Sequence, residues 1–84
     1  MTWEQTETEQ EILWTTKSQS GSYFLIVGSN DSGWWYEIHR TKNMKSSSGG
    51  YTTRLESMIR AETILRLLLV VDLQYNVMLP LGVI

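Results

Sequence analysis

The chain contains no cysteine and only one proline and one histidine in 84 residues. Without thiols no disulfide can staple the fold, and zinc sites built on thiolates are excluded. His39 has no second imidazole to join it, so no metal set of the usual kind is expected, and no cofactor. Charge is sparse as well. The formal net charge is −2, too close to neutral to point by itself to nucleic acid or a membrane surface. Long apolar runs are missing: Arg66, Asp72, Gln74, Asn76 and Pro80 interrupt the apolar C-terminal third, leaving Leu67–Val71 as its longest pure run. A membrane-spanning helix needs about 20 mostly apolar residues. The acidic, polar N-terminus lacks the basic and apolar regions of a secretory signal, and the absent thiols fit a reducing compartment, so a cytoplasmic location is expected.

What is present is apolar and aromatic. Hydrophobic residues make up 42% of the chain, with four tryptophans, four tyrosines and one phenylalanine. That is enough apolar surface to offset chain entropy in a folded domain. A domain this short is near the size at which a single core is only marginally stabilising, and oligomerisation is a common source of further burial. The charges are unevenly spread. Glu4, Glu7, Glu9 and Glu11 crowd the N-terminus, whereas Arg40, Lys42, Lys45, Arg54, Arg60 and Arg66 fall between residues 40 and 66.

One stretch organises the rest. Thr52–Leu73 reads as an amphipathic helix opened by Thr53 and Glu56 at capping-box spacing. Leu55, Met58, Ile59, Ala61, Leu65 and Leu69 share one broad side at a 3.6-residue period. Ile64, Leu67, Leu68 and Val71 populate the opposite side, so the helix is apolar all round in its second half. Such a helix must be covered twice, by its own sheet and by something else.

Before it, Glu11–Thr16, Tyr23–Gly28 and Trp34–Arg40 read as strands separated by the turn-rich segments KSQSGS and SNDSG. Met44–Tyr51 reads either as a short edge strand or as a mobile loop rich in serine and glycine, the strand being favoured. Residues 1–10 read as a flexible acidic N-terminus, and 11–84 as a single α+β domain. The fold expected is an antiparallel three- to four-stranded β-meander with the long helix packed on one face. Val77–Ile84 is expected to follow as an apolar extended tail, because Pro80 and Gly82 argue against both a regular helix and a central strand. Period-two alternation puts Tyr23, Leu25 and Val27, with Trp34, Tyr36 and Ile38, under the helix. Phe24, Ile26, Trp35, Glu37 and His39 are left on the other face.

No reaction is legible. His39 and Glu37 are close enough along a strand for acid–base work, but nothing in the sequence supplies a nucleophile or an oxyanion donor beside them. Ser46–Gly50 lacks the lysine of a phosphate-binding loop. The expected function is therefore a non-catalytic protein-interaction module. Two surfaces are assigned to it. Ile64, Leu67, Leu68, Val71, Leu79, Leu81 and Ile84 form an oligomer interface with further copies of the chain. Phe24, Ile26, Trp35, Glu37 and His39 form a contact surface for an unidentified protein, possible inhibition being one outcome of that contact. The alternative is a sheet-based binder of single-stranded nucleic acid that stacks bases on exposed aromatics beside Arg40 and Lys42.

Overall fold

The computed structural model describes the backbone of residues 1–82 and the side-chain surroundings of residues 1–73. Its elements in chain order are β1 (Glu4–Glu7), β2 (Ile12–Lys17), β3 (Tyr23–Asn30), β4 (Gly33–Arg40), β5 (Asn43–Tyr51) and α1 (Arg54–Gly82). The strands form one antiparallel sheet in sequence order, with α1 laid across a single face. This is an α+β fold with five strands, rather than the three or four expected.

The sheet grows outward from the β3–β4 hairpin. Asn30 pairs with Gly33, leaving Asp31 and Ser32 as the turn, and the Asn30 side-chain oxygen accepts the Ser32 amide at 2.9 Å. Asparagine suits this position because its side chain can imitate a backbone turn. Gly33 has φ +123°, and a side chain there would come within 2.7 Å of the Tyr51 carbonyl. Only glycine lets β5 approach so closely. Where β4 meets β5, Thr41 takes a left-handed backbone (φ 58°), and β5 carries two register shifts along its length.

The additional strand is β1, in the acidic N-terminal stretch expected to be loose. Its polar residues give no apolar alternation, so its pairing with β2 rests on backbone bonds and two anchors. The Thr16 hydroxyl donates to the Thr2 carbonyl at 2.6 Å, and the Trp3 indole Nε1–H donates to Glu62 on α1 at 3.1 Å.

Alternation on β3 and β4 places Tyr23, Leu25, Val27, Tyr36 and Ile38 on the inner face, all buried, where they meet Met58, Ala61 and Leu65 of α1. Each large apolar side chain buried this way is worth roughly 1.5–3 kcal/mol. Trp14, Trp34 and Tyr51 pack around this core, with the Tyr36 and Tyr51 rings stacked at 6.1 Å between centroids.

α1 begins as its sequence indicates: the Thr53 hydroxyl oxygen accepts the Glu56 amide at 3.1 Å. Its buried side differs from the one expected. Ser57, Met58, Ala61 and Leu65 are buried, with Ile64 and Leu68 half-buried beside them, whereas Leu55, Ile59 and Leu69 are exposed. Ser57 explains the rotation. Its hydroxyl donates to the Arg54 carbonyl at 2.8 Å, so the residue enters the core already satisfied and need not face water.

At the far end of the sheet, the Tyr23 hydroxyl donates to Asp72 at 2.5 Å, and the Arg40 guanidinium stands 3.4 Å from the same carboxylate and over the Tyr23 ring. Burial pushes the Tyr23 hydroxyl above the usual tyrosine value, and its hydrogen bond to Asp72 adds to the rise. Beyond Asp72 the helix continues to Gly82. That corrects the expectation of an extended tail over Val77–Ile84. Pro80 falls in the last turn of the helix, so the bond it removes and the crowding its ring brings at the Asn76 carbonyl come close to the helix end, while Met78, Leu79 and Leu81 favour helix. Val83 and Ile84, and the side chains of Leu79 and Leu81, lie outside the described residues.

Candidate functional site

The face of the sheet turned away from α1 has no element packed on it among the described residues. Register assigns its members. Phe24 pairs with His39 and Lys17, Ile26 pairs with Glu37 and Thr15, and Trp35 pairs with Gly28. On β5, Met44 stands opposite His39, and Ser47 opposite Glu37. All five residues assigned from sequence to a partner-contact surface therefore share one face. Leu13, half-buried, and Met44, exposed, extend it and were missed.

Trp35 is the largest side chain of this surface and stands at its hairpin end, next to the Ile26–Glu37 pair. A Cβ built on Gly28 would fall 2.4 Å from Cζ2 of the indole, 2.9 Å from Cε2 and 3.0 Å from Cη2. The two flanking atoms are almost as near as the central one, so the glycine lies under the face of the ring and not at its edge. The indole is laid flat on the sheet. Gly49 on β5 makes room on the other side: a Cβ there would stand 3.2 Å from the Trp35 Cβ. Glycine in a strand weakens it, and an aromatic neighbour lying across the gap restores cover to the backbone. This arrangement was open to inference from the turn alone, since a hairpin closed at Asn30–Gly33 puts Trp35 opposite Gly28.

Beside the indole is a shallow hollow of about 410 Å³, whose lining includes Asn30, Trp35, Glu37, Ser47 and Gly49. Glu37 shares one carboxylate oxygen with His39 Nε2 at 2.9 Å, and both side chains are partly open to solvent. The acid–base neighbours suspected from sequence are thus brought together. Among the described residues no group of three or more histidines, cysteines, aspartates or glutamates stands close enough to hold a metal ion.

Arg40 does not join this face. It pairs with Tyr23 in register and turns inward to Asp72, and Lys42, the other base named for nucleic-acid binding, lies in the turn between β4 and β5. The Ser46–Gly50 run is part of β5, and Arg54 stacks on the inner-face ring of Trp14 at 4.0 Å.

A second apolar surface runs along the outward side of α1. Leu67 and Val71 are 57% and 59% exposed, with Val70 and Leu73 exposed beside them. Of the residues assigned to an oligomer interface, Ile64 and Leu68 are half-buried against the protein's own sheet instead. Among the described residues, no helix is long and apolar enough to cross a membrane. No family model matches the chain, and no curated protein or solved structure is significantly similar to it.

Proposed function

We propose that this protein is a non-catalytic interaction module of the cytoplasm that binds another protein through the outer face of its sheet. The observation that carries this reading is the Trp35 indole, laid flat on Gly28 with Ile26 diagonally beside it and Phe24 further along a face on which no element packs among the described residues. Rigid aromatic side chains in an apolar patch are what protein interfaces use as anchors. Occupying a partner's surface in this way suffices for inhibition without any chemistry by the module itself. The outward side of α1 supports self-association through Leu67, Val70, Val71 and Leu73, because a contiguous exposed apolar strip is stabilised by a second copy.

The test is affinity capture from the native host with the wild-type chain and with Trp35→Ala. A protein retained by the first and lost from the second supports the outer face, and equal retention defeats it. For self-association, light scattering at micromolar concentration should show an assembly that Leu67→Glu with Val71→Glu reduces to a monomer. A monomeric wild-type protein defeats that half of the reading.

A further inference from the structure

The Trp35 indole has one ring face covered by Gly28, and Trp35 and Glu37 line the same hollow. Trp35 and Glu37 are alternate residues of one strand on one face, so they stand about 7 Å apart along it. The second Glu37 oxygen has no hydrogen-bond partner among the described residues, and no lysine or arginine lines the hollow. A flat π surface beside a carboxylate with one oxygen unengaged attracts positive charge and repels phosphate. We infer that the anchor of this surface is an arginine side chain of the partner protein, stacked on the Trp35 indole and paired with Glu37.

This rests on the reading of the outer face as a protein-contact surface. The fold itself shows that such stacking is geometrically natural here: on the inner face, the Arg54 guanidinium carbon stands 4.0 Å from the centre of the Trp14 ring. A guanidinium fits better than an ammonium. Its planar group can lie on the ring while its edge N–H groups reach sideways to a carboxylate, whereas an ammonium is a compact, strongly hydrated point charge.

The experiment follows the Trp35 indole N–H signal of the full chain by NMR, assigned by its loss in Trp35→Phe. N-acetyl-arginine amide is titrated at constant ionic strength beside N-acetyl-citrulline amide, which has nearly the same shape without the charge. The arginine compound should shift the signal saturably and bind at least about fivefold more tightly than citrulline, and Glu37→Gln should bring the two within about twofold. Equal affinities in the wild-type protein, no saturable shift, or an unchanged preference in a folded Glu37→Gln variant overturns the inference. So does a shift produced by a single-stranded oligonucleotide and not by arginine. If arginine fails while Trp35→Ala still abolishes partner capture, this inference alone falls. If capture ignores Trp35, the reading beneath it falls.

Discussion

On the β3–β4 hairpin, Leu25 and Ile38 are completely buried, while their neighbours Phe24 and His39 remain partly open to solvent. The two sets come from the same strands, one residue apart, and both contain aromatic and aliphatic side chains. What separates them is α1, which covers one face with Met58, Ala61 and Leu65 and leaves the other bare. Apolar character alone therefore does not tell a core from a contact surface. The difference lies in whether the chain supplies its own cover.

Truncating one residue on each face should separate them. Leu65 is almost completely buried at the centre of the inner layer. Leu65→Ala should cost about 2–5 kcal/mol, the range for a cavity opened in a packed core. Ile26→Ala on the outer face should cost about 1 kcal/mol or less, because its side chain is already partly hydrated. Urea unfolding measures both. Equal losses would mean that the outer face is packed against something in the free protein, a second copy being the obvious candidate.

The part of this comparison that could be read in the sequence was the part with a period. Tyr23–Val27 and Trp34–Ile38 alternate at every step, and once one set is inside the other must be outside. The helix was harder. Ile64, Leu65, Leu67, Leu68, Leu69, Val70 and Val71 surround its axis, so apolarity carries little angular information there. The true inner side is marked by Ala61 and by Ser57, whose hydroxyl is satisfied by its own helix. β1 was hidden because it is held by backbone pairing and by two contacts from Trp3 and Thr16 that are remote in sequence. The Tyr23–Asp72–Arg40 cluster was hidden for the same reason: its members meet only when the end of the hairpin lies under the fifth turn of α1.

Gly28→Ala perturbs the outer face from beneath. The new methyl group cannot coexist with the indole as it lies, since it would sit 2.4 Å from a ring carbon. Displacing Trp35 should cost about 1–3 kcal/mol, as overpacking does. In a Trp35→Ala background the same change should be neutral or slightly stabilising, because alanine orders a strand better than glycine. A double-mutant cycle by chemical denaturation gives the coupling directly. If the two costs simply add, the ring does not rest on Gly28.

The inner face also carries a pH dependence. The Tyr23 hydroxyl titrates above its ordinary value of about 10, through burial first and the Asp72 hydrogen bond second. Below that ordinary value the proton is bound in folded and unfolded chains alike, and the full stabilisation is present. As pH rises further, the unfolded tyrosine loses its proton while the folded one keeps it, so stability falls and the contribution is lost through the raised folded value. Tyr23→Phe should cost about 1–2 kcal/mol at neutral pH, the worth of a hydrogen bond to a partly exposed carboxylate. It should also flatten the alkaline decline between pH 9 and 11 relative to wild type. A decline of unchanged steepness would place its origin in other groups.

The smallest effect is expected where sequence reading first looked for chemistry. Glu37 and His39 are hydrogen-bonded at 2.9 Å, with side chains 38% and 26% exposed. A pair this open is screened by solvent, and such pairs are worth about 0–1 kcal/mol. Glu37→Gln should therefore change the unfolding free energy measured in urea by no more than about 0.5 kcal/mol, since the amide oxygen can still accept from His39. Its effect on binding should be far larger in proportion, because the negative charge disappears from the Trp35 hollow. On the inner face stability and contact cannot be separated: a residue removed from the core weakens the fold it belongs to. On the outer face they should come apart, with Glu37→Gln and Trp35→Ala folding nearly as well as wild type and binding less. Destabilisation by Glu37→Gln comparable to that of Leu65→Ala would show that the outer face is structural after all.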